Sequence, residues 1–153
     1  MTGPHGGAPF YLSLRPRFTD QLHLAAARSA ASLARRFTVL ALDKWKAGAL
    51  EDDAALVVCE LVSNAVKATA TSNQADTTGL ITVRVLGLRD SIVIEVRDTS
   101  PETPVLTRPD HDSEGGRGLL LVQALSRRWG THHETHHKTI WAQLPAHLPT
   151  DRP

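Results

Sequence analysis

The 153-residue chain is long enough to bury a sizeable core as one domain, without disulfides or metals. Its 17 Lys and Arg stand against 16 Asp and Glu, and a formal net charge of +1 argues against nucleic acid or an anionic membrane as direct partner. One cysteine excludes an internal disulfide, and no run approaches the roughly 18 apolar residues of a membrane span, so a cytoplasmic protein is expected.

Residues 1–9 are Gly- and Pro-rich, lack a signal-peptide core and read as a flexible tail. Residues 10–145 read as the single domain, and 146–153 as a second flexible tail. Phe10 to Arg15 alternates and predicts a short first strand. Leu22, Ala25, Ala26, Ser29, Leu33, Arg36 and Phe37 fall at helical spacing, which predicts a helix over 20–38 with Thr19 or Asp20 as N-cap.

Glu51, Asp52 and Asp53 stand where acids favour a helix start, and a second helix is predicted over 50–69. Leu80–Leu88 and Ser91–Val96 predict an antiparallel hairpin. Thr99 to Glu114 has no periodic pattern. The glycine turn Gly115–Gly118 then opens a third helix through Leu119, Leu120, Val122, Leu125 and Ser126. Trp129–Glu134 and Lys138–Leu144 predict a closing hairpin. Helices do not alternate one-to-one with strands. An α+β fold is therefore predicted, a two-layer sandwich with a mixed or antiparallel sheet and three main helices on one face.

Glu60 and Asn64 lie four residues apart, so they share a helical face, with Lys67 a further turn along. Glu60 is the only charge in ALVVCELVSNAV (55–66), where a carboxylate is costly unless paired or placed in a site. Asp98 ends an apolar strand, where binding residues are often held. The glycines of EGGRGLLLV let the backbone approach a ligand, and a helix N-terminus suits phosphate. No Gly-Lys-Ser/Thr follows, so the segment is not a P-loop. Cys59 and the three tryptophans read as core residues. His132, His133, His136 and His137 surround Glu134. Adjacent strand residues face opposite ways, so an exposed hairpin tip is the preferred reading over a metal site.

Taken in order, ELVSNAVKA (60–68), VRDTSPETP (96–104) and EGGRGLLLV (114–122) resemble the N box and the two glycine boxes of the histidine-kinase-like ATPase superfamily. The likeness is nearest to its small anti-sigma factor serine/threonine kinases of actinobacterial type. It implies ATP and Mg2+ as cofactors, with Glu60 as general base and Asn64 as magnesium ligand. It further implies a nucleotide site drawn from Asn64, Lys67, Ala68, Asp98, Gly115, Gly116, Arg117, Gly118, Leu119 and Thr139. Asp98 would accept the adenine amino group, Thr139 would support Asp98 through water, and Thr99–Gly115 would form a lid. Two departures stand out: Asp98 is followed by Thr-Ser-Pro rather than the usual glycines, and Ala68 stands where such relatives often carry histidine.

The function so implied is an anti-sigma factor kinase. It would phosphorylate an anti-anti-sigma (STAS-type) protein and sequester a sigma factor, often as a homodimer. The alternative is a non-catalytic module that regulates a partner through its nucleotide state.

Overall fold

A strand buried on both faces reads as a continuous apolar run, and SIVIEV is such a run at the centre of the sheet. The computed structural model describes residues 5–6, 8–72, 79–99 and 114–148. In chain order these form β1 (His5–Gly6), a 3-10 turn (Phe10–Ser13), β2 (Phe18–Ala25) and α1 (Ala30–Lys44). After a second 3-10 turn (Gly48–Leu50) come α2 (Glu51–Ser72), β3 (Leu80–Gly87) and β4 (Ser91–Asp98). The last elements are α3 (Glu114–Leu125), β5 (Arg128–His133) and β6 (Lys138–Pro145). The sheet order is β1-β5-β6-β4-β3-β2. Among the described residues the β1–β5 pairing alone is parallel; β2 to β6 pair antiparallel.

The fold is the expected α+β sandwich. One core fills the space between helices and sheet, joining Ala34 and Leu42 of α1, Val57, Val58, Leu61 and Val62 of α2, and Val122 of α3 to Val83, Ile94 and Ile140. The buried positions of α2 recur every three or four residues, which fixes the face it turns to the sheet. Its first turn carries Glu51, Asp52 and Asp53, favourable at the positive end of the helix dipole. A second, smaller cluster covers the outer face of the sheet: Tyr11, Leu86, Leu88, Val93 and Trp141, with Phe10 packed on it.

The N-terminal third departs from the sequence expectation. Phe10–Arg15 is not a strand; Phe10–Ser13 turns tightly and lays Tyr11 on the outer face. Residues 20–38 are not one helix. Phe18–Ala25 is a strand, paired along its whole length with β3, and the helix begins only at Ala30. Leu22 and Leu24 alternate with exposed Gln21 and His23, a period of two that the following alanines disguise.

Helix α1 ends in a Schellman turn. Ala47 N–H donates to Leu42 O at 2.8 Å and Lys46 N–H to Asp43 O at 3.0 Å, which places Lys46 at a φ of 59°. Behind the turn, Trp45 stacks on Phe18 with centroids 5.3 Å apart.

Residues outside 10–145 also pair and pack. His5 and Gly6 pair with Gly130 and Thr131. At the other end, Ala146 and Leu148 are buried, and Ala146 N–H donates to Asp90 O at 3.0 Å. No helix among the described residues is long and apolar enough to cross a membrane.

Candidate functional site

Helix α2 carries the first part of the site. Leu61, Val62 and Ala65 face the core, while Glu60 and Asn64 flank that buried stripe and are half-buried. Lys67, one turn on, is exposed, and Ala68 is half-buried.

Helix α3 lies against α2. The expectation of a glycine turn ahead of the helix is corrected here: the backbone from Glu114 is already helical, so Gly115, Gly116, Arg117 and Gly118 all belong to α3. Gly118 is buried, and its missing side chain is what seats the helix. A Cβ there would stand 2.8 Å from the Glu60 Cδ and closer still to Oε2. Glycine thus lets the α3 backbone rest directly on the Glu60 carboxylate. Leu119, the next residue, is half-buried and packs on the core. The side chains of Glu114 to Arg117, and the lid expected over Thr99–Gly115 apart from Thr99 and the helical backbone from Glu114, lie outside the described residues.

Strand β4 carries the second part. Asp98 is its last residue, and its cross-strand partner is Lys138, the first residue of β6. Directly opposed residues of an antiparallel pair point to the same face. Here it is the helix-bearing face, because Val96 and Ile140, two pairs along, both join the main core. The Lys138 Nζ lies 3.3 Å from Asp98 Oδ2, and the two side chains are 2% and 0% exposed.

The register does not bring Thr139 to Asp98. Thr139 pairs with Arg97, and both stand on the outer face with Trp141, while the residue opposite Asp98 is Lys138. Sequence reasoning missed Lys138. Its one signal was a lysine heading an otherwise buried strand, KTIWAQL.

Two further groups were also overlooked or misplaced. Glu95 is only 4% exposed, on the outer face, where it accepts from Tyr11 Oη at 2.5 Å and Arg84 Nη2 at 3.1 Å. Burial first, then the adjacent Glu95 charge, pushes the Tyr11 hydroxyl well above its ordinary range. Cys59 is half-buried rather than in the core, with its Sγ 3.8 Å from Ala31 O. Burial pushes its thiol up, which disfavours the reactive thiolate.

Among the described residues no cluster of three metal-ligating side chains occurs. At the histidine hairpin, His132 Nε2 lies 3.6 Å from Glu134 Oε1, with His133 and His136 exposed. A site for Mg2+ would draw instead on oxygen donors, and Glu60 and Asn64 supply a carboxylate and an amide oxygen one turn apart. The space over Gly118 is filled by the Glu60 carboxylate itself, so of this pair it is the Asn64 amide oxygen that stands as the candidate metal donor.

Fold and site thus define a two-layer α+β domain with a polar stripe on its second helix, roofed at one point by a glycine of its third. Residues 18–144 match the family model for the histidine kinase-like ATPase domain, and the chain belongs to that family. It is a family of ATP-binding domains. No curated protein is significantly similar to the chain.

Proposed function

We propose that this protein is an ATP-dependent regulator: an anti-sigma factor kinase that phosphorylates a serine or threonine of an anti-anti-sigma-type (STAS) protein, and that holds a sigma factor when that partner is absent. One observation carries the reading. Gly118 rests on Glu60, so the helix that offers backbone to a phosphate and the helix that offers a base and a metal ligand meet at one point.

Each residue then has a definite task. Asn64 holds the metal through its amide oxygen. Glu60 takes the proton of the attacking hydroxyl on its carboxylate, which requires hydrogen-bond reach of that hydroxyl. Asp98 accepts from the amino group of the base. When bound, Mg-ATP supplies the phosphoryl group and most of the charge that stabilises its transfer. Few protein groups are needed for such a reaction, because positioning and electrostatics dominate it.

A second reading rests on the same contact. Glu60 Oε2 is packed against the α3 backbone, and it must leave that place to reach a hydroxyl. A protein that keeps it there would bind nucleotide without chemistry and act through its nucleotide state.

Calorimetry with Mg-ATP and a phosphotransfer assay with candidate STAS partners separate the readings. The kinase requires both ATP binding and transfer, with transfer lowered by about 10²-fold or more in Glu60→Ala, the usual scale for a lost general base. Binding without transfer in the wild type selects the module. Unchanged transfer in Glu60→Ala removes Glu60 from the role of base.

A further inference from the structure

The end of the sheet where β4 begins holds a cavity of about 540 Å³. Asp90, on its wall, immediately precedes β4, whereas Asp98 is the last residue of that strand. At about 3.3 Å per residue the two lie roughly 25 Å apart, so the cavity is separate from the proposed nucleotide site. Ala47, Leu50, Pro145 and Ala146 give it an apolar floor. Lys46, Arg127 and His147, all exposed, stand around that floor with the one carboxylate of the lining, Asp90. Lys46 comes from the turn after α1, and Arg127 and His147 flank the hairpin of β5 and β6. The basic groups therefore reach the cavity from both layers of the fold.

The backbone at Lys46 sets this cavity apart. Its φ of 59° is the one positive value at a non-glycine residue among the described residues. Glycine fills that position of a helix-ending turn without steric cost, and any other side chain fills it at a cost. A lysine favours the negative end of the helix dipole, but Lys44 already stands in that last turn. A residue held in such a conformation on the wall of a cavity is a pointer to function. The charges, moreover, do not offset one another. The Arg127 guanidinium lies 3.3 Å from Asp90 in an exposed pair, a kind that contributes little. The side chains of Lys46 and His147 meet no hydrogen-bond or ion-pair partner among the described residues.

A small-molecule site encloses most of its ligand, whereas every charged group of this lining is exposed. That arrangement suits a length of chain crossing the floor, with carboxylates reaching the basic groups on either side. Three basic side chains against one carboxylate select an acidic segment over a basic one. We infer that this cavity docks a short acidic segment of a protein partner. Apolar side chains of the segment cover Ala47, Leu50 and Ala146, and its carboxylates meet Lys46 and Arg127. The inference stands independently of the nucleotide site.

The test is NMR titration of the isotope-labelled full chain. The probe is a capped tetrapeptide of two leucines flanked by two glutamates. The amides of Ala47, Leu50, Ala146 and His147 should shift saturably in the millimolar range. Replacing the glutamates of the peptide by lysines, or its leucines by serines, should abolish the shifts. Lys46→Gly should weaken binding by about threefold or more and Arg127→Glu by about fivefold or more, the upper range for an exposed ion pair. Because glycine relieves the positive φ, Lys46→Gly should also melt at the wild-type temperature or above it.

No saturable shift in the wild type overturns the inference. So does wild-type affinity in either variant, or an equal response to the lysine peptide. The same shifts produced by inorganic phosphate would make this a site for a small anion. Concentration-dependent shifts without peptide would make a second copy of the chain the occupant. Both outcomes overturn the inference. A Lys46→Gly chain that melts earlier would show that the lysine serves the fold, with the same consequence.

Discussion

Strand β4 buries two acids within three residues of each other, one on each face of the sheet, and they are held in different ways. On the outer face, Glu95 meets Arg84 across the strand pair and the Tyr11 hydroxyl from above, so one carboxylate oxygen has two close donors. On the helix-bearing face, Asp98 Oδ2 lies 3.3 Å from the ammonium of Lys138. A guanidinium and a phenol offer donors in fixed geometry, whereas an ammonium is a rotatable point charge. The outer arrangement reads as a latch that ties the turn at Phe10–Ser13 to the sheet. The inner one stands at the proposed nucleotide site. Similar chemistry on one strand is thus held by partners of different stiffness.

The contrast can be broken from either side. Glu95→Ala should have the largest effect, a loss of about 3 kcal/mol in urea unfolding, because Arg84 and Tyr11 would lose their shared acceptor. Its affinity for Mg-ATP should stay near that of the wild type, and a large change there would show that the two faces are not separate. Asp98→Asn should do the reverse. Calorimetry should show ATP binding weakened by about 1–3 kcal/mol, the scale of a spoiled buried hydrogen bond to a charged group. No measurable ATP binding by the wild type would end the nucleotide reading altogether.

Tyr11→Phe probes the latch more finely. It should cost about 1.5–3 kcal/mol near neutral pH, the usual worth of a hydrogen bond to a charged group. It also changes the pH profile. The Tyr11 hydroxyl ionises near its ordinary 10.0 when the chain is unfolded, but only well above that when folded. Its contribution is therefore complete below pH 10 and declines as the pH rises beyond it, by up to about 1.4 kcal/mol per pH unit. Chemical unfolding at pH 9 and pH 11 should show this slope in the wild type and a weaker one in Tyr11→Phe.

Gly118→Ala should have the smallest effect on the fold. Alanine favours a helix interior by about 0.8–1.0 kcal/mol over glycine, and the group it would meet is the movable end of Glu60. Melting should therefore be unchanged or slightly raised. Phosphotransfer should fall, because the Glu60 carboxylate must be displaced. A variant that melts early instead would show that α3, not Glu60, gives way.

These expectations depend on features that the sequence reveals unevenly. Helix α2 was legible because its aliphatics keep a period near 3.6 and three acids mark its start. The β3–β4 hairpin was legible because two β-rich runs flank a short polar turn. Strand β2 was not, because an alanine-rich stretch follows it without a break and extends the apparent helical period backwards. Glu60 and Asn64 could be paired by counting residues along one helix. Lys138 could not be assigned to Asp98 in that way, since the register of β6 on β4 comes from packing across the sheet. For the same reason Thr139, adjacent in sequence to Lys138, falls on the opposite face from Asp98: a shift of one position reverses every side chain of a strand.

The position of β6 has a consequence for how the chain comes to be folded. It is the last strand in sequence, yet it lies between β5 and β4. During synthesis β4 is complete well before its neighbour on that side exists, so its apolar edge stays open to other chains, a recognised route to aggregation. Cooperative closure of the sheet must wait for residues 138–145. A truncation just short of them would remove the centre of the sheet rather than trim its margin.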